Sequence, residues 1–273
     1  MKLFLSAVEG SEQRSGMEDV LTRRDGLLWN LMSFYYARGG NIGWLERVRD
    51  VSRLIMVDSG AHSFQKGAKV DWEDYTHRYA AFIRGFDRDN VVGFFEMDVD
   101  NIIGYDEVLR LRGILESESG LPEKIIPVWH RNRGVDDFRE MCRSHAGQVV
   151  AVTGFKNEDI RDEQYPMFVK CAWDHGCKIH CLGMSRVDVM RKVPFDYCDA
   201  SSWAASSRYG KLDNKPFPKG FDTKDKVRVY AENYEVAMEK QVRFWRRWRS
   251  VCKDPFRHGG SGNPATTKLR RDR

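Results

Sequence analysis

The feature that most constrains this chain is a rhythm. Short apolar runs recur along it, separated by stretches of helical length that carry one apolar face. A short apolar run bounded by turn residues fits a strand covered on both faces, and apolar residues at steps of three and four fit a helix packed against it. Residues 2–8, 54–59, 91–99, 125–130, 149–154, 178–184 and 195–200 read as strands. Residues 71–86, 105–117, 135–144, 163–175 and 186–192 read as helices; in the first, Trp72, Tyr75, Tyr79 and Phe82 share a side. Such alternation predicts an α/β fold with a parallel sheet, either a (β/α)8 TIM-type barrel or a doubly wound sheet. The barrel is the preferred expectation. Its eighth strand is expected in 27–36 or in the Pro/Gly/Lys-rich stretch 210–224, which reads first as a loop.

From residue 226 an amphipathic helix is expected through Tyr230, Tyr234, Met238, Gln241, Trp245 and Trp248 to about residue 251, followed by a segment with Gly259, Gly260, Gly262 and Pro264 that reads as flexible. The expected organisation is a catalytic barrel over 1–225, a C-terminal amphipathic basic helix packed on it over 226–256, and a flexible basic tail over 257–273.

Charge separates these parts. The chain carries 45 Lys+Arg against 40 Asp+Glu, a net +5, yet residues 238–273 alone carry +8 and the rest is mildly acidic. A basic terminus is either a grip on a polyanion or a solubilising surface. As a grip it would use Arg243, Arg246, Arg247, Arg249 and Lys253 on phosphates. No apolar stretch reaches the roughly 20 residues of a membrane span, and the first apolar run ends at once in Glu9-Gly10, so neither a membrane association nor a secretory signal is expected. The six cysteines form no CxxC or CxC pair, which points to a reducing compartment, the cytoplasm, or the host cytoplasm if the chain is phage-encoded. Cys171, Cys177 and Cys181 make the one loose group a zinc ion could use, but two of them lie within apolar runs and read as buried thiols. No metal and no cofactor are expected.

In either parallel fold, chemistry sits at the carboxyl ends of strands, so polar residues that end apolar runs are the candidates. Asp58 ends one run and is followed by the small-residue turn Ser59-Gly60. Glu96, Asp98 and Asp100 alternate at the end of another, a spacing that would put them on one face of a continuing strand. His130 ends a third run, Thr153-Gly154-Phe155 turns after a fourth, and Asp199 precedes Ala200-Ser201-Ser202 after a fifth. Taken singly, Asp58 and Asp199 read equally as helix caps and His130 as a hydrogen-bonded structural residue. Together, carboxylates from separate strands suit glycosidic-bond chemistry, in which one attacks or stabilises the anomeric carbon and another handles the leaving-group proton. No HxH, HExxH, P-loop or strand-following GxGxxG is present to support a metal hydrolase or a nucleotide-binding enzyme.

The order of these motifs resembles the tRNA-guanine transglycosylase superfamily, whose members exchange guanine for a 7-deazaguanine on a (β/α)8 barrel. Asp58-Ser59-Gly60-Ala61-His62-Ser63 is similar to its Asp-Ser-Gly-Gly-aromatic-Gln motif, and Phe95-Glu96-Met97-Asp98 to its base-recognition Phe-Asp strand. Val152-Thr153-Gly154-Phe155 is similar to its Gly-Gly-Leu backbone contact, His180-Cys181-Leu182-Gly183-Met184 to its Leu-x-Gly strand, and Tyr197-Cys198-Asp199-Ala200-Ser201-Ser202-Trp203 to its nucleophile segment. The resemblance covers about residues 50–210. It implies that Asp199 is the nucleophile on the sugar C1′ and Asp58 the general acid/base. It also implies that Asp98 reads the purine edge with Asp100 as its alternate, that Gly154 offers backbone contacts, that His130 contacts the base, and that Ser59, Gly60 and His62 line the base site. The family's CxCxxC zinc signature is absent, its stacking aromatic is replaced around His62, and the chain is short. These departures resemble the compact DpdA-like branch, which is proposed to act on DNA. The implied partners are therefore DNA, or tRNA, and a free 7-deazaguanine base such as the 7-cyano precursor. The implied activity is a pentosyltransferase that exchanges guanine in DNA through a covalent aspartyl intermediate. Exchange on tRNA, a nucleoside or base hydrolase using the same carboxylates, and a catalytically silent nucleic-acid-binding barrel are the alternatives.

Overall fold

The computed structural model describes residues 1–64, 70–153, 160–204, 211–212, 215–216 and 222–251. The strands are β1 (Lys2–Leu5), β2 (Leu27–Ser33), β3 (Ser52–Asp58), β4 (Val91–Phe95), β5 (Ile125–Ile126), β6 (Val128–Trp129), β7 (Val149–Thr153), β8 (Lys178–Leu182) and β9 (Tyr197–Ala200). They pair in the order β5-β4-β3-β2-β1-β9-β8-β7-β6. The registered pairs are parallel, as in Met32 beside Val57 and Cys181 beside Cys198. Pro127 has no N–H to give a neighbour. It divides the run 125–129 into β5 and β6, which stand at the two ends of that order. Counted as one strand, this run makes eight, and the fold is a TIM-type α/β barrel. The eighth strand is β2, within the stretch 27–36. The short pair Lys211–Leu212 (β10) and Lys215–Pro216 (β11) is antiparallel and forms a separate two-stranded sheet.

The helices are α1 (Ser11–Leu21), α2 (Ile42–Val51), α3 (Trp72–Phe86), α4 (Asp100–Ile103), α5 (Tyr105–Ser119), α6 (Gly134–Ser144), α7 (Tyr165–Asp174), α8 (Val187–Lys192) and α9 (Thr223–Val251). Local chemistry sets the ends of α3. The side chain of Asp71 accepts the Asp74 N–H at 3.0 Å, acidic Glu73 and Asp74 occupy the first turn, and Arg84 lies in the last. Helices α1 and α2 lie outside the segments whose periodicity predicts a helix.

The chain packs as two compact units. The first comprises Phe4–Ile125 and Ser201–Gln241. Its core joins Leu5, Met32, Val57 and Phe94 of the strands to Tyr75, Tyr79, Ile83 and Phe86 of α3 and to Tyr230 and Tyr234 of α9. Buried tyrosine hydroxyls need acceptors. Tyr75 donates to the Ser59 carbonyl at 2.6 Å, Tyr79 to that of Val57 at 3.2 Å, Tyr230 to that of Ala7 at 3.0 Å, and Tyr234 to the Asn30 side chain at 2.7 Å. The second unit comprises Met1–Leu3, Ile126–Ala200 and the chain from Val242. Rings of Trp129, Phe138 and Phe168 pack with centroids 4.8 to 6.0 Å apart, and Val150, Ile179, Phe195 and Phe244 complete the core.

The expected strand 91–99 stops at Phe95, so the alternating Glu96, Asp98 and Asp100 do not share a strand face. Residues 96–99 form a loop, and Asp100 opens α4.

Candidate active site

Asp58 is the last residue of β3 and half-buried. Its Oδ2 accepts the Gly60 N–H at 3.1 Å, and the Ser59 hydroxyl accepts the Ala61 N–H at 3.4 Å, which closes a tight turn. Gly60 has a φ of +74°, and a Cβ there would sit 2.5 Å from Tyr35 Cβ and 2.6 Å from Ser33 Oγ. Only glycine satisfies both the left-handed backbone and the close approach of the segment after β2. Below the turn, Tyr79 is fully buried, and burial together with the Asp58 charge pushes its hydroxyl well above the usual range, so it stays a donor. One side chain at this end is not signalled by any motif: Glu9, beyond β1, is buried and accepts the Ser33 N–H at 2.8 Å. His62 lies in a single 3-10 turn over Ala61–Phe64, but its side chain is outside the described residues.

After β4, three carboxylates diverge in role. Glu96 is buried and paired at 2.5 Å with the buried Arg112 of α5, whose guanidinium is held firmly charged by that carboxylate. This pair belongs to the packing of α5. Asp98 is half-buried, Asp100 is buried in the first turn of α4, and a carboxylate oxygen of one lies within 4.8 Å of one of the other.

In the second unit, Asp199 of β9 is buried, and its Oδ1 receives two groups: the Gly183 N–H at 2.8 Å and His180 Nε2 at 3.0 Å. His180 is buried within β8, and Gly183 directly follows that strand with a φ of +63°. Parallel pairing of His180 with Tyr197 and of Cys181 with Cys198 carries Asp199 alongside the end of β8. The neighbouring thiols of Cys181 and Cys198 are pushed well above the usual range by burial and the Asp199 charge, so they stay neutral and do not compete as nucleophiles. Asp196, three residues earlier, serves the packing instead. Its Oδ2 accepts Trp173 Nε1 at 2.8 Å and the Ile179 N–H at 3.0 Å, tying α7 to β8 and β9. His130 follows β6 and is half-buried, and Gly154 lies outside the described residues.

The carboxyl half of α9 exposes Arg243, Arg246, Arg247 and Arg249. Among them Trp245 and Trp248 stack with centroids 5.4 Å apart and an interplanar angle of 13°; Lys2 Nζ lies 5.4 Å and the Arg249 guanidinium 5.9 Å from the Trp245 ring. Trp248 also donates to the Pro194 carbonyl at 3.4 Å. Lys253 and the tail over 257–273 fall outside the described residues.

The fold has solved counterparts. A protein of Coccidioides immitis described as a fructose-1,6-biphosphate aldolase superposes with a TM-score of 0.53 at 10% identity, over 93% of this chain and 92% of its own. A protein of Aquifex aeolicus VF5 gives 0.49 at 10% identity over 91% and 92%. One of Sinorhizobium meliloti 1021 described as a tagatose 6 phosphate kinase gives 0.41 at 10% identity over 89% and 87%. The first likeness supports the barrel fold and nothing finer. No protein-family model matches the chain, and no curated protein matches it. Among the described residues no helix is long and apolar enough to cross a membrane.

Proposed function

We propose that this protein is a transglycosylase that exchanges guanine in DNA for a 7-deazaguanine base through a covalent aspartyl intermediate on Asp199. The observation that carries the reading is the setting of that carboxylate. Two donors on Oδ1 fix its plane, and buried neutral thiols surround it, as suits a group that must meet one carbon in one orientation. The barrel fold, which presents side chains at the carboxyl ends of its strands and is the fold of enzymes of many chemistries, is consistent with it.

In this reading Asp199 Oδ2 attacks C1′ of a deoxyguanosine unstacked from its strand, the C1′–N9 bond breaks, and Asp58 assists proton transfer to the departing base. A 7-deazaguanine then loses its N9 proton to Asp58 and attacks C1′, the C1′–O bond to Asp199 breaks, and the two displacements give net retention. Asp98, with Asp100 as its alternate, and His130 read the purine, and the backbone at Gly154 and the Ser59-Gly60-Ala61-His62 turn line the base site. The arginines of α9 hold phosphates, a role supported by their exposure beside the tryptophan pair.

The test is base exchange. Guanine-containing DNA and an unmodified tRNA are each incubated with the protein and isotopically labelled guanine or a 7-deazaguanine. Incorporation into DNA supports the reading, and incorporation into tRNA alone assigns the RNA activity instead. Release of guanine without incorporation makes the protein a hydrolase, and binding of DNA with neither outcome makes it a silent barrel.

A further inference from the structure

Three thiols unused by the proposed chemistry meet in the second unit. Cys142 lies on α6, Cys171 on α7, and Cys177 just before β8; all are free thiols, and α6 packs on α7. The Cys142 thiol lies in hydrogen-bonding reach of both others. Their environments differ. Cys142 is buried, and its thiol is held protonated by these two neighbours and by burial. Cys177 is also buried, with its sulfur 3.3 Å from the Cys142 carbonyl oxygen and 3.2 Å from that of His145, a setting that favours the thiol over the thiolate. Cys171 alone is partly exposed. Its neighbour His175 is fixed by a 2.9 Å contact from Nδ1 to the Cys171 carbonyl, one helical turn back. The Cys142 hydrogen bond, ahead of the positive influence of His175 and Arg139, brings the Cys171 thiol down to about 7.

A partly exposed sulfur in contact with a buried second one is the geometry of an attacking and a resolving cysteine. We propose that Cys171 and Cys142 form a peroxide-responsive dithiol that closes to a reversible disulfide between α6 and α7. The Cys171 thiolate attacks a hydroperoxide, the O–O bond breaks, and Cys171 becomes a sulfenic acid while the oxidant is reduced to an alcohol or water. The Cys142 sulfur then attacks the sulfenyl sulfur, and the S–S bond forms. Hydroxide leaves and takes the Cys142 proton away as water, so two thiols surrender two electrons to one peroxide. The arrangement does not suit a metal ion equally well. Among the described residues, these cysteines do not bring three ligand atoms within 4.8 Å of one another, so the chemistry they permit is pairwise.

The full chain, reduced and freed of reductant, is titrated with hydrogen peroxide at neutral pH and digested without reductant for mass analysis. The expected first product is a peptide pair joined through Cys142 and Cys171, lighter by two hydrogens and restored by dithiothreitol. Cys142→Ser should divert Cys171 to sulfinic acid, and Cys171→Ser should leave Cys142 a thiol at the same peroxide dose. Wild-type protein in which Cys171 remains unmodified, is over-oxidised without linkage, or has Cys142 joined first to Cys177 would overturn the proposal, and none of these readouts depends on a variant's folding.

Discussion

Asp58 and Asp199 each end an apolar strand, yet their surroundings have little in common. Asp199 is buried, with one oxygen fixed by a histidine and a backbone N–H from the adjacent strand. Asp58 is half-buried, and the contact seen at its Oδ2 comes from its own turn, two residues on. Support from a neighbouring strand ties a carboxylate to the sheet, whereas support from a local turn lets it follow the loop. The first suits a nucleophile, whose line of attack tolerates little error, and the second suits a proton carrier that serves two bases in succession.

Removing each carboxylate tests that division most directly. Asp199→Asn should abolish trapping of a covalent adduct on guanine-containing DNA, a loss of about 10^4-fold or more. An adduct that persists would mean that another group attacks. Asp58→Asn should still form an adduct when the leaving base needs no proton, while exchange of guanine slows by about 10^2-fold or more. Equal loss with both kinds of leaving group would erase the distinction.

The next effect concerns what holds Asp199. His180→Asn keeps a donor of similar reach but no titrating ring, and His180→Ala removes the donor. Adduct formation should fall by about 10^2-fold in the alanine variant and by less in the asparagine variant, measured as single-turnover rates across pH. Identical rates and pH profiles for both variants and the wild type would show that His180 serves packing alone.

How legible these regions were in the sequence follows the same physics. Strands buried on both faces announce themselves as apolar runs, and the polar residue that closes each run was visible for the same reason: Asp58, His130 and Asp199. Alternation is weaker guidance. Phe95-Glu96-Met97-Asp98-Val99-Asp100 mimics a continuing strand, but Glu96 is drawn to Arg112, sixteen residues on, and the chain leaves the sheet at Phe95. His180 was hidden because a polar residue inside an apolar run shows no partner, and its own lies nineteen residues away. Helix α1 was hidden because its segment is polar and carries Gly16, where an added Cβ would sit 2.5 Å from the Tyr230 ring; the helix depends on a neighbour more than two hundred residues distant in sequence.

Gly60→Ala probes the local support of Asp58. The substitution meets a left-handed backbone and three atoms closer than 3.0 Å, two of them in Tyr35 and one in Ser33. It should cost about 3 kcal/mol in chemical denaturation and widen the turn that orients Asp58. A stability within about 0.5 kcal/mol of wild type would show that the loop shifts freely and that its geometry does not hold the carboxylate.

The smallest effect has the opposite sign. Beyond β3 and β8 the chain turns left-handed on glycines, Gly60 at φ +74° and Gly183 at φ +63°, but beyond β1 the corresponding conformation falls on Ala7, at φ +71°. A Cβ in that region is crowded by the backbone. The strain is sustained by its surroundings: Tyr230 donates to the Ala7 carbonyl at 3.0 Å and Trp203 Nε1 to that of Ser6 at 2.8 Å, which fixes the segment leading to Glu9. Ala7→Gly relieves the strain without disturbing either bond, and against the extra freedom glycine gains in the unfolded chain it should still stabilise by about 1 kcal/mol, raising the thermal midpoint by roughly 2 °C. A lower midpoint would mean that the methyl group's packing against the first unit's core outweighs the backbone strain, and that Ala7 is held in place by its side chain rather than despite it.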